Sequence, residues 1–305
     1  MPRRSDLPTL AAFAGAVVLG SANIVAVRFS NRELEPLWGA GVRFVIASSV
    51  LCTIGLVTRR QFPRGPSLRG AVSFGLFAFT GAYALFYLGA VRVSAGTAGV
   101  IMALVPLLTL LLAASQRIER FSWRGLAGSL LAVAGIGVIL SGSPAGAVPI
   151  GSVLLIVGAA TCASQAGIVV KRTPDSDVIT TNGVAMAVGA VLLLALSAAS
   201  GESHDVPSSP SVWAAVTFLA FVGSPLLFIL YVFVLNHWTA TAASYQFVLF
   251  PPVTIVLGAL VAGESMTSGL VLGVPLVLAG VYVGALRADD ARSAEQLERS
   301  AARSC

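Results

Sequence analysis

Ten long apolar runs, separated by short polar loops, leave this 305-residue chain few ways to fold. The runs cover Leu7–Val27, Leu37–Val57, Ala71–Ala90, Thr97–Ala114, Gly125–Leu140, Ile150–Val170, Val178–Ala199, Val212–Leu235, Ala240–Val261 and Leu270–Leu286. Each approaches the roughly 20 residues that a helix needs to cross a bilayer. In hydrocarbon every backbone N–H and C=O must be satisfied within the segment, which selects helices or a closed barrel. Runs this long without period-2 alternation select helices. The expected fold is therefore all-α and integral to the membrane, with ten transmembrane helices. Composition excludes the soluble alternatives. Only 10% of residues are charged, against about 25% in a soluble domain.

The basic residues set an orientation. With the N-terminus inside, 15 of the 19 fall in cytoplasmic segments; Arg28, Arg32 and Arg92 fall outside and Arg43 lies within a run. This bias puts both termini in the cytoplasm of a cell (plasma or inner) membrane protein. Net charge is +6, but the basic residues form no face or stripe, so no nucleic-acid partner is expected. Arg3 and Arg4 ahead of the first run resemble a secretion signal, yet that run is a full span and nine more follow. The polar tail, residues 288–305, is expected to be a frayed cytoplasmic end.

The chain also repeats itself. A shift of 145 carries Ala98 onto Ala243, Pro106 onto Pro251, Glu119 onto Glu264, Gly128 onto Gly273 and Gly135 onto Gly280. Asn23 and Gln165 correspond at a shift of 142. The expected units are residues 1–145 and 146–287, five spans each. An odd number of spans per unit inverts the second copy, which gives two inverted five-helix repeats about an axis in the membrane plane. Secondary transporters use this architecture to open each side in turn.

The order of these landmarks resembles the ten-helix EamA-like members of the drug/metabolite transporter superfamily. The resemblance rests on Leu19–Asn23, Arg43-Phe44 with Ala47, Gly89–Ala98, Pro106, Glu119, Thr239–Ala243, Pro251 and Gly263-Glu264. Leu19 stands where many members carry Trp. The resemblance implies a metabolite permease, often an exporter of amino acids or related solutes.

Polar groups inside apolar runs are the candidate substrate contacts. All 13 acidic residues lie in loops, at run ends or in the tail. The two histidines, His204 and His237, have no ligand spacing, and no cysteine pair resembles a metal site. Hence no metal, no cofactor and no catalytic residue is expected, which weighs against an enzyme. Arg43 either recognises an anionic substrate group or snorkels to the outer interface. Phe79, Tyr83, Phe86 and Tyr87 share one helical face, and the shift carries Tyr83 and Phe86 onto Phe228 and Tyr231. They either wall a cavity or pack. Asn23, Gln165, Tyr245 and Gln246 need partners, from neighbouring helices or a substrate. Asn23 and Gln165 are placed to meet near the pseudo-two-fold axis. Pro106 and Pro251 are candidate hinges or gates, because interrupted helices at equivalent places mark transport sites. The glycines point to close packing within the fold, with a homodimer contact through Gly280 and Gly284 left open. The expected function is secondary transport of a small molecule across the lipid bilayer. A lipid-handling protein or a non-transporting scaffold is the alternative.

Overall fold

The computed structural model describes residues 7–90, 101–140, 149–173, 177–262 and 268–286. Every regular element among them is helical. The elements are α1 (Leu7–Ser30), α2 (Pro36–Val57), α3 (Pro66–Phe74), α4 (Ala82–Ala90), α5 (Val105–Ser115), α6 (Trp123–Leu140), α7 (Ile150–Arg172), α8 (Val178–Ser200), α9 (Pro210–Phe218), α10 (Ser224–His237), α11 (Ala240–Ser244), α12 (Gln246–Ala262) and α13 (Ser268–Val281). Turns of π-helix at Gly75–Gly81 and Leu219–Gly223 join α3 to α4 and α9 to α10 as continuous rods; a third, Tyr282–Leu286, extends α13. Six helices are long and apolar enough to cross a membrane: Leu7–Val27, Pro36–Val57, Pro66–Gly89, Ile150–Arg172, Val178–Ser200 and Pro210–His237. The other four predicted runs fall on shorter helical pieces. The tail and the Glu264 loop lie outside the described residues.

Helix ends follow local chemistry. Pro36 opens α2 in its first turn, where a missing N–H costs nothing. Asp177 caps α8 by accepting from the amides of Ile179 and Thr180. Gly201 ends α8 at φ 73°, a left-handed conformation that suits glycine. Three other helices are capped from far along the chain. Glu202 accepts from the amides of Leu37 (3.1 Å) and Trp38 (2.8 Å) at the start of α2. Glu33 accepts from Ser208 and Ser209 ahead of α9. Glu119 accepts from the amides of Ala240 and Thr241 and the Thr241 hydroxyl at the start of α11. Helix N-termini carry partial positive charge, so a carboxylate there is stabilising.

Packing pairs corresponding helices of the two halves. Along α2 and α8, Gly41 meets Leu194 while Gly55 meets Thr180, so the two run antiparallel. Along α6 and α13, Gly128 lies against Gly280 and Gly284, and Gly135 against Gly273 and Val277. A shift of 145 turns the Gly128–Gly280 contact into the Gly273–Gly135 contact. The same exchange relates the remaining neighbours. α1 packs on α9–α10 and on α12, while α7 packs on α3–α4 and on α5. Gly280 and Gly284 are thus engaged within the chain rather than presented to a second copy.

The breaks in spans four and nine do not fall on the prolines. Ala103 and Leu104 form a turn, and Pro106 then sits in the first turn of α5. Span nine breaks at Tyr245, between α11 and α12, and Pro251 and Pro252 lie inside α12. Pro106 therefore starts a helix, whereas the pair in α12 removes interior backbone donors, as Pro275 does in α13.

Candidate functional site

Arg43 is the one basic residue inside an apolar run, and the fold encloses it. Only 3% of its surface is exposed. Its guanidinium carbon lies 4.5 Å from the centre of the Phe44 ring and 4.9 Å from that of Tyr83. Nε is buried without a hydrogen-bond partner. No carboxylate among the described residues pairs with the group. The side chain is therefore enclosed by protein rather than extended at the molecule's surface.

An aromatic ladder runs from Arg43 across the bundle. The Phe44 ring meets Tyr83 and Phe79 edge-on, each at 5.0 Å. Phe79 stacks at 4.4 Å on Phe228 of α10, and Tyr83 lies 6.1 Å from Tyr87. The ladder thus ties α2, the π turn of the α3–α4 rod and α10 together. Tyr87 is buried, whereas Tyr83 and Phe228 are partly buried.

Two amides approach the same stretch of α10. Asn23 Nδ2 donates to the Gly223 carbonyl at 3.1 Å, and its Oδ1 is buried without a partner. Asn182 Nδ2 donates to the carbonyls of Val178 (2.8 Å) and Phe228 (3.3 Å), and its Oδ1 is also orphaned. Ser224 Oγ has no partner either. A π turn leaves backbone carbonyls poorly paired along the axis, and Gly223 offers its own to Asn23. Five buried side-chain atoms lack partners among the described residues: those of Asn23, Arg43, Asn182, Ser224 and Thr254. The first four lie on the neighbouring helices α1, α2, α8 and α10: Asn23 reaches Gly223 next to Ser224, Asn182 reaches Phe228, and Arg43 meets Phe44 and Tyr83. Native interiors leave few such atoms, because each costs about 1–3 kcal/mol.

Other expected contacts lie elsewhere. Asn23 and Gln165 do not meet. Gln165 pairs instead with Gln116, which donates to its Oε1 at 2.6 Å, and Arg172 donates to the Gln116 carbonyl at 2.8 Å. Tyr245 is fully buried beside α6; its hydroxyl donates to the Gly125 carbonyl and lies 3.0 Å from Ser129 Oγ. Tyr231 is buried near Phe247, with its hydroxyl close to Gly167. Gln246 is buried at the start of α12, just past the break. Asn182, Ser224 and the capping roles of Glu33, Glu119, Asp177 and Glu202 were not singled out by the sequence. Asn182 sits too near a run's end to stand out, and Ser224 is one serine among small residues. Among the described residues no group of His, Cys, Asp or Glu could hold a metal ion.

Outside the apolar runs, Arg60 forms an ion pair with Asp177. Burial alone would raise the Asp177 carboxyl. The Arg60 hydrogen bond, the Thr180 amide, the Arg60 charge and the Ile179 amide outweigh it and hold the carboxyl below its usual range.

Known proteins match this chain over nearly its whole length. The EamA-like transporter family matches twice, over residues 7–141 and again over 150–285. The uncharacterized inner membrane transporter YedA of Escherichia coli K12 is 28% identical over 92% of this chain and 92% of its own. A probable amino-acid metabolite efflux pump of Salmonella typhimurium is 25% identical, over 88% of this chain and 91% of its own. A solved crystal structure, 21% identical, shares the fold with a TM-score of 0.77 over 90% of this chain and 97% of that one. With six membrane-length helices and these relatives, the protein is a multi-pass membrane protein. The chain belongs to the EamA-like transporter family, within the drug/metabolite transporter superfamily.

Proposed function

We propose that the protein is a secondary transporter that exports a small metabolite, such as an amino acid or related solute, by alternating access. The reading has ten spans in two inverted five-helix repeats, with both termini in the cytoplasm. The observation that carries it is a set of buried, orphaned polar atoms on neighbouring helices: those of Asn23 and Ser224 beside Gly223, that of Asn182 by Phe228, and that of Arg43 at the aromatic ladder. Partners that the protein does not supply are what a substrate would bring. The aromatic ladder of Phe44, Phe79, Tyr83 and Phe228 gives that site an apolar wall.

The packing supports the inverted repeat. α6 and its counterpart α13 run antiparallel, as do α2 and α8. Antiparallel counterparts can be exchanged only by an axis perpendicular to them. For helices that cross a bilayer, that axis lies in the membrane plane. The family's two separate matches support a duplication. The basic-residue bias supports the orientation. Export is favoured by the relative named as an efflux pump.

Counterflow in proteoliposomes loaded with a mixed metabolite library tests transport directly. Retention of a labelled solute only when its unlabelled form is preloaded is the expected result. A scaffold or lipid-handling protein would give no exchange of any water-soluble member. Reporter fusions test topology: fusions at Ser67, Asp175 and the C-terminus should read cytoplasmic, and those at Ala145 and Ser208 external. A C-terminus outside would sink the inverted reading.

A further inference from the structure

We infer that the site takes an organic monocarboxylate with an apolar body, and that Arg43 holds its carboxylate. The inference rests on the transport-site reading above and names its substrate class. The guanidinium carries five N–H donors and accepts nothing. Ring faces of Phe44 and Tyr83 stabilise its charge, but they accept none of those hydrogen bonds in the usual geometry. Nε is enclosed and unpaired. No acidic residue lies inside an apolar run, and among the described residues no carboxylate pairs with Arg43. A planar fork facing an unfilled partner is matched by a carboxylate, which accepts two parallel N–H bonds.

Charge balance decides against a phosphate. Arg43 is the single basic residue inside an apolar run. One carboxylate neutralises it, whereas a phosphate dianion would leave net negative charge in a low-dielectric site. The surroundings fix the rest of the molecule. Tyr83 and Phe228, both partly buried and linked through Phe44 and Phe79, are the rings left to receive an alkyl or aryl chain. Tyr83, whose ring lies against the guanidinium, is only partly buried.

The test uses the full chain purified in detergent, with 3-phenylpropionate, its neutral isostere 3-phenylpropionamide, and phenyl phosphate as probes, read by calorimetric titration. Wild type should bind the carboxylate about tenfold or more tightly than the amide, the scale of one charge-assisted pair. Arg43→Gln should bring the ratio to about one, and Arg43→Lys should restore only part of it, since an ammonium lacks the fork. Equal binding of carboxylate and amide by wild type, or no binding of either, overturns the proposal without need of a variant. An undiminished ratio in Arg43→Gln overturns the role of Arg43, and phenyl phosphate binding as tightly as the carboxylate overturns the monoanion. A carboxylate preference without counterflow of 3-phenylpropionate would uphold this site and sink the transport reading. Counterflow of a neutral solute, untouched by Arg43→Gln, would do the reverse.

Discussion

Two tyrosines in apolar runs show how far a residue's chemistry can be read before its neighbours are known. Both Tyr83 and Tyr245 announce a hydroxyl that needs a partner. The sequence does not say whether a helix or a substrate supplies it. Tyr245 finds Gly125 and Ser129 in the seam between halves. Tyr245→Phe should therefore cost about 0.5–1.5 kcal/mol, the net worth of one buried hydrogen bond, since Ser129 Oγ still donates to the Gly125 carbonyl. The loss should appear as a lower melting temperature in detergent, with counterflow rates unchanged. Slower transport at unchanged stability would return Tyr245 to the substrate path. Arg43 and Asn23 were legible because a charge or an amide is conspicuous in an apolar run. Asn182 was not, for it sits five residues into α8, where a polar residue reads as a helix end. Asp177 offers a check at the membrane surface. A carboxyl held low in the folded state contributes stability above its unfolded pKa, and this is lost as pH falls through the folded value. Asp177→Asn keeps a cap but not the charge. Its melting temperature should trail wild type near pH 7, and the gap should close below about pH 4.

At the scale of elements, the helical content was readable and its irregularities were not. Apolar run length decides that a segment is a membrane helix. The π turns at Gly75–Gly81 and Leu219–Gly223 have no such signature, since they come from packing rather than propensity. A shift of 145 nearly superposes them, so each half bends its third rod at one depth. Prolines suggested breaks at Pro106 and Pro251; the chain breaks a few residues earlier in both cases, at Ala103-Leu104 and at Tyr245. The glycine face was legible, because glycines seven apart share a face. Its partner was settled by the fold. A Cβ on Gly280 would stand 2.7 Å from the Ala132 amide nitrogen and the Gly128 carbonyl oxygen. Backbone cannot yield as a side-chain tip can, so Gly280→Ala should cost about 1–3 kcal/mol by overpacking. Gly137, on the same helix as Gly128, has nothing within 4 Å of such a carbon. Gly137→Ala should leave thermal stability unchanged or slightly raised. Equal tolerance at both positions would contradict the seam.

Across the whole molecule, capping carboxylates join the halves at both ends, and at one end a glutamine pair joins them as well. Gln116 of the first half pairs with Gln165 of the second, and Arg172 donates to the Gln116 carbonyl. Glu119 caps α11 from across the same boundary. The 145-residue shift carries Gln116 onto Val261, so the other end has no glutamine pair of this kind. In the proposed orientation these contacts close the cytoplasmic end, and rocking of the halves must part them. A cross-link at that end tests whether they do. In a background without Cys52, Cys162 and Cys305, Gln116→Cys and Gln165→Cys are joined by a short, reducible bis-methanethiosulfonate linker. Counterflow of the identified substrate is then followed before and after reduction. The linked protein should bind substrate without exchanging it, and reduction should restore exchange. Exchange at the unlinked rate in fully linked protein would contradict the rocking of the halves.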